Sequence, residues 1–422
     1  MNILFVSQNY FPFTGGVEAH VRQVGQELSK QHQVRIAAVR FAISRTPRRL
    51  SVLEDNLLVP RFESSRDGNV AVEALSPTIP DRLRMLPLIV RALPLVPRYA
   101  YHGLNRFGYR FYRNVFLPKL RKWVQGADIV HCMAFGPLGW AAREATAERG
   151  IPFVCTPFVH PHQWGDGDDD IAYYKRAQAI VALVDTDRQY LISLGLSPDR
   201  MHVIGVSPEL PPTSDPVNFR RRHGLNTAPV VLYVGRMMQK KGASAVLAAA
   251  PIVWQNNPEV RFVFIGPASP AEATQFANCD PRVKYLGKVS TQEKADALAA
   301  CDVFCMPSLS EILPTVYLEA WSNGKPVIGG MAPGLPELVE GADAGFASSQ
   351  DPHALGSTLG KLLGDPALRA RLGANGKSLV EKKYSVPAVT HALLEMYHQV
   401  IDERSALAAN ESSIRQIPAA AT

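Results

Sequence analysis

The chain has no uncharged apolar run of roughly eighteen residues, and a helix needs about that length to cross a bilayer, so no membrane-spanning helix is expected. Its start, MNILFVSQNY, lacks the basic segment and small-residue cleavage site of a secretory signal, and a cytoplasmic chain is expected. Cysteine is scarce. Cys132, Cys155, Cys279, Cys301 and Cys305 are odd in number, scattered and without a C-x-x-C pair. That argues against a disulfide framework and a zinc site, and predicts reduced, buried thiols. No G-x-G-x-x-G follows the first predicted strand, where the chain reads TGGVEAH, which disfavours a dinucleotide oxidoreductase. No internal repeat recurs at a fixed period.

What is present is ordinary globular composition: 46% apolar and 20% charged over 422 residues. At about 100 to 200 residues per domain this length implies two or three domains, and two is the simpler reading. Short β-branched runs alternate with helical patterns, the signature of βαβ units and parallel sheets. The first series has strands at 2–7, 33–39, 128–133, 152–158, 179–184 and 202–206. A helix is predicted from about Val17 to Lys30, because Val17, Val21, Val24 and Leu28 share one face. The proline-rich SPELPPTSDP then interrupts the pattern. A second series follows at 230–235, 260–266, 283–289, 303–307 and 326–330. The expectation is an α/β chain of two Rossmann-like, doubly wound parallel-sheet domains facing across a cleft. Residues 1–207 form an N-terminal domain and 208–385 a C-terminal one. A C-terminal helix over 386–408 packs back toward the first, and 409–422 is a flexible tail. Such sheets bind ligands at the carboxyl ends of their strands.

The net charge of +7 is unevenly spread: from Asp81 to Lys122, ten Lys or Arg stand against one acid. In this segment Arg106, Arg110 and Arg113 fall at i, i+4, i+7, with Phe107, Phe111, Tyr109, Tyr112 and Phe116 at helical spacing among them. Three readings fit: a basic, aromatic face resting on an anionic bilayer, a nucleic-acid surface, or an ordinary helix with core aromatics and solvated arginines. A contact with an anionic membrane through residues 82–122 is expected, and no nucleic-acid partner is.

The stretch SEILPTVYLEAWSNGKPVIG places Glu311 and Glu319 either side of Pro314. Proline is tolerated at the first helical position, and Asn323-Gly324 supplies a stop, so a helix is predicted from Pro314 to Ser322. Glu319 is then helical and Glu311 in the loop before it. Were both helical, eight residues at about 100° each would set them roughly 80° apart, so loop plus helix is the better reading. Amides of the first turn, with the helix dipole, favour a phosphate between the two carboxylates. A plain alternative is an exposed helix glutamate and a Glu311 that only complements the dipole. In YVGRMMQKKG, Arg236, Lys240 and Lys241 crowd the end of a strand in front of the next helix, which suits an anion.

Taken in order, TGGVEAH, DIVHCM, TPFVHPH, GRMMQKKG, the E-x7-E of Glu311 and Glu319, LEAWSNGKPVIGG and GLPELVEG resemble the retaining nucleotide-sugar glycosyltransferases of family four, of the GT-B type. The resemblance runs from about residue 2 to 400. It implies that Arg236 and Lys241 hold the donor diphosphate, aided by amides at Leu313, Thr315 and Val316. Glu319 is implied for the ribose and Glu311 for the sugar transferred. Gly15 and Gly16 would admit phosphate and sugar without a Cβ; His160 would face the anomeric carbon, and Val289 would meet the base. His160 and Glu311 are the implied catalytic residues. No metal and no other cofactor is implied, and no D-x-D ends a strand. GDGDDD contains that spacing in a predicted loop, and a site from His160, His162 and Asp166 is weighed below a plain polar loop. Ile312, Leu313 and Pro314 replace the glycines many members carry after the first glutamate, and VIGVSPEL lacks their asparagine before glycine. The implied reaction moves a hexose from a UDP- or GDP-sugar to a glycan or lipid-linked acceptor. The alternative is a nucleotide-sugar epimerase on the same architecture.

Overall fold

Strands rich in valine, isoleucine and phenylalanine are buried on both faces here, as parallel sheets covered by helices require. The computed structural model describes residues 1–12, 15–40, 62–87, 101–134, 136–162 and 164–415, the side chains at 40, 101–106 and 407–415 excepted. Contacts divide it into two units: Met1–Ile204 with the segment from Val389, and Gly205–Ala388.

The first unit holds β1 (Asn2–Asn9), β2 (Gln33–Arg40), β3 (Ser65–Asp67), β4 (Val70–Ala74), β5 (Ile129–Met133), β6 (Phe153–Cys155), β7 (Ala179–Ala182) and β8 (Met201–Val203). Their order is β3-β4-β2-β1-β5-β6-β7-β8, parallel except for β3 against β4. Six of these strands are expected from the sequence; the β3–β4 hairpin is an addition. It turns at Gly68, whose φ of 61° glycine tolerates best. The second unit holds β9 (Val230–Val234), β10 (Arg261–Ile265), β11 (Val283–Tyr285), β12 (Val303–Cys305), β13 (Val327–Gly329) and β14 (Gly345–Ala347). All are parallel in the order β11-β10-β9-β12-β13-β14. This is the doubly wound order, reversing between β9 and β12. β14 is the one strand not expected.

The helices used below are α1 (Gly16–Leu28), α2 (Ile79–Met85), α3 (Tyr101–Trp123), α4 (Pro137–Ala147), α5 (Asp168–Tyr174), α6 (Ala243–Trp254), α7 (Thr291–Ala300), α8 (Thr315–Ser322), α9 (Pro366–Leu379) and α10 (Val386–Arg415). In α10, Val389, Leu393, Met396 and Val400 recur at helical spacing and join Ile3, Phe5 and Ile129 in a core on one face of the first sheet. Tyr397 adds a hydroxyl that meets Nδ1 of buried His131 at 2.6 Å, while Nε2 of that ring meets Thr156 Oγ1 at 2.7 Å. Burial pushes His131 down to about 3, so the ring is neutral. The helix continues to Arg415, past the expected end at 408, because nothing in ALAANESS breaks it. Four of the five cysteines are buried and all are free thiols.

Candidate active site

In the second unit the loops that follow β9 and β12 leave the sheet at its reversal point, where doubly wound sheets bind ligands. The first loop is GRMMQKKG. Its last residue, Gly242, has φ 86°, and a Cβ there would lie 2.7 Å from the Pro307 ring and 2.9 Å from the Pro307 carbonyl oxygen. Only glycine meets both demands, so the two loops can close on each other. They are tied by Leu309 N–H to Lys240 O at 2.8 Å and by Lys241 Nζ to Ser310 O at 2.9 Å. The Lys241 ammonium also pairs with Glu311, a side chain only 17% exposed. Arg236, exposed just beyond β9, makes no ion pair among the described residues.

Helix α8 starts at Thr315; Pro314 stands one residue earlier than expected, as the extended N-cap, with φ −71° and ψ 113°. The helix is locked by buried aromatics: Tyr317 Oη donates to Met306 O at 2.6 Å and Trp321 Nε1 to Ala344 O at 2.9 Å. Gly376 of α9 allows the close approach, since a Cβ there would strike Trp321 at 2.1 Å. Among the described residues, the N–H groups of Thr315 and Val316 have no protein acceptor, as expected for a first turn. Leu313 is buried in the loop before them. Glu311 therefore lies in that loop and Glu319 on the helix, the arrangement read from the sequence.

Glu319 is not an exposed helix glutamate. It is 2% exposed, its Oε1 accepts from Lys294 of α7 at 2.8 Å, and its Oε2 is enclosed without a partner among the described residues. Burial raises its pKa, and Lys294 pulls it back down. Lys294 was not singled out by sequence reasoning. Its link to Glu319 spans 25 positions and two helices, so no local motif announces it. Val289 lies half-buried just before Ser290, the N-cap of α7.

In the first unit, Gly15 caps α1 in extended conformation at the carboxyl end of β1, and Gly16 begins the helix. A Cβ at Gly15 would meet the Glu18 carboxylate at 2.2 Å; Glu18 is itself buried and accepts from Asn9 at 2.7 Å. His160 follows β6 at the same edge of the sheet, in a bridge with Trp164 whose ring lies 4.1 Å away. Asp166 accepts the His162 N–H at 2.6 Å and the Tyr190 hydroxyl at 2.9 Å, so it closes the loop on itself. Among the described residues no three His, Cys, Asp or Glu side chains are grouped to hold a metal. Asp168 to Asp170 form the first turn of α5 rather than a loop, because acids complement a helix N-terminus.

The basic, aromatic segment is corrected in part. Tyr112 and Phe116 of α3 are buried in the core and stack at 4.2 Å, so they do not face a bilayer. Arg113 pairs with Glu144 of α4 at 2.6 Å and Lys119 with Asp81 at 3.0 Å; Arg121 pairs with Glu148. Glu144 and Glu148 lie outside the segment, where a local count misses them, and Asp81 is the one acid that count includes. What stays exposed and apolar is Ile79, Leu83 and Leu86, at i, i+4, i+7 along and just beyond α2, together with Phe107 of α3. Residues 88–100 lie outside the described residues, as does the Arg106 side chain.

Two family models match: glycosyl transferase 4-like domain over residues 15–207 and glycosyl transferases group 1 over residues 217–379. Among relatives, the lipopolysaccharide core biosynthesis glycosyltransferase LpsD of Rhizobium meliloti is 30% identical over 271 residues, 63% of this chain and 76% of that protein. A D-inositol 3-phosphate glycosyltransferase of Xylanimonas cellulosilytica is 29% identical over 66% of this chain and 73% of its own length. A GDP-mannose-dependent phosphatidylinositol monomannoside mannosyltransferase of Corynebacterium glutamicum is 33% identical over 38% of this chain, and the match spans 44% of that enzyme. Of solved structures, sucrose-phosphate synthase from Thermosynechococcus elongatus superposes with a TM-score of 0.70 at 19% identity, covering 96% of this chain and all of that one. Anabaena HepE in complex with UDP gives 0.67 at 17% identity over 94% of this chain, again covering all of that one. The curated relatives above are transferases by name. The chain belongs to the family-four glycosyltransferases of the GT-B fold, and its general reaction is glycosyl transfer.

Proposed function

We propose that this glycosyltransferase moves a hexose from a UDP- or GDP-sugar to a glycan or lipid-linked acceptor, with retention of anomeric configuration and without a metal. The observation that carries the donor side is the meeting of two loops at the reversal point of the second sheet. It gathers Arg236, Lys241, Glu311 and the N-terminus of α8 on one edge. In this reading Arg236 and Lys241, with the amides at Leu313, Thr315 and Val316, neutralise the diphosphate as it leaves. Basic side chains and helix amides then do what a divalent ion does in other transferases. Glu319 accepts from the ribose hydroxyls, Glu311 from those of the hexose, and Val289 offers its backbone to the base. Lys241 holds Glu311 at the edge of the diphosphate position. Gly15, Gly16 and His160 are assigned to the phosphate and sugar, His160 beside the anomeric carbon. The GDP-mannose dependence of one relative and the UDP in one structural neighbour support both nucleotides as candidates. Proton NMR of the product formed from an α-linked donor tests the stereochemistry. The α-anomer is expected, and a β-product overturns retention.

The acceptor of the Corynebacterium relative is a phosphatidylinositol glycolipid by name, and this supports a lipid-linked acceptor reached at an anionic membrane surface. The membrane face is assigned to Ile79, Leu83, Leu86 and Phe107 with Arg84 and Arg110, within and beside residues 82–122.

A further inference from the structure

Glu319 sits almost wholly out of water, yet among the described residues only one of its two carboxylate oxygens has a donor. An acceptor left unpaired in the interior is a lasting cost to the fold, and an ion pair kept for stability alone would satisfy both oxygens. The groups whose charge faces Glu319 are Lys294 from α7, which favours its ionised form, and Glu209 from the connector before β9, which opposes it. The side chain of Asn323, the C-cap of α8, donates to the Glu319 backbone carbonyl at 2.9 Å and not to its carboxylate. One ammonium thus counteracts the burial and the neighbouring acid.

We propose that Lys294 is a positioning residue for the donor: by holding Oε1 at 2.8 Å it fixes the Glu319 rotamer and leaves Oε2 as the oxygen that accepts from the ribose hydroxyls. The inference rests on the reading of Glu319 as the ribose-binding residue. Ionisation matters because a carboxylate accepts at both oxygens, whereas a protonated carboxyl gives one up to a proton. Burial favours the protonated form, and Lys294 opposes that. The lysine need not touch the nucleotide.

Calorimetric titration with UDP and GDP, each beside its 2′-deoxyribose counterpart, tests the assignment across a pH series. Wild type is expected to prefer the ribonucleotide by roughly ten- to a hundredfold, as for a hydrogen bond to a charged group. E319Q should lose most of that preference. K294M should lose it too, and the acid-side fall in affinity should move to higher pH, because removing the cation raises the Glu319 pKa further. K294R should restore both. Should K294M fail to fold, K294Q retains a donor without the charge, and the acid-side fall should still move upward. If K294M or K294Q keeps the wild-type preference and the wild-type pH profile while E319Q loses the preference, Lys294 does not act through Glu319 and the proposal fails. If E319Q itself keeps the preference, the ribose reading of Glu319 fails first, and this proposal with it.

Discussion

Two carboxylates eight positions apart occupy different environments. Glu311 is partly exposed and paired with Lys241, whereas Glu319 is enclosed and half satisfied. The difference has a stability consequence whose sign follows from linkage. The pKa of Glu319 is raised on folding, so its carboxyl favours the fold fully below the unfolded value, and that contribution is lost as pH rises through the folded value. Above the folded value the ionised group is a burden the fold carries for its ligand. E319Q, measured by urea unfolding of the ligand-free protein at neutral pH, is therefore expected to be as stable as wild type or more stable, and to bind nucleotide far more weakly. A loss of about 3 kcal/mol or more, the penalty for breaking a pair that stabilises, would contradict this. The spacing and the proline identified the roles of the two glutamates as loop and helix. The burial of Glu319 and its lysine were not legible, because both arise from packing α7 against α8.

Elements were legible where their pattern was long. The strands β9 and β12 at the reversal point of the second sheet, and the central β1 and β5 of the first, were readable from runs such as NILFVS and VVLYVG, since central parallel strands are apolar on both faces. The pieces missed, β3, β4 and β14, are short strands toward the sheet edges with few buried residues to announce them. The course of α10 was legible from its apolar stripe, but its buried polar clasp was not. Tyr397 and His131 are 266 positions apart, and each alone reads as a core residue. Tyr397→Phe keeps the packing and strips the hydroxyl from a buried imidazole nitrogen. Urea unfolding should show a loss of about 1 to 3 kcal/mol, the usual cost of a buried group left unpaired. No change would mean that the contact does not hold the helix.

At the scale of the whole chain, the basic excess in residues 82–122 is offset in part, because Glu144, Asp81 and Glu148 take up Arg113, Lys119 and Arg121, three of its ten cations. An apolar face on α2 with flanking arginines remains, which makes membrane association dependent on both terms. The protein should sediment with anionic liposomes at low salt, and L83E should weaken this at every salt concentration. Absence of sedimentation at low salt would remove the membrane from the account. The central claim is that the donor nucleotide sugar is held by the second unit around Glu319. A panel of UDP- and GDP-sugars, scored by the unfolding temperature of wild type and E319A, tests it most directly, since a ligand bound only to the folded state raises that temperature. One nucleotide series should raise it in wild type by several degrees and leave E319A unmoved. No rise with any nucleotide sugar, or the same rise in both proteins, would contradict the account.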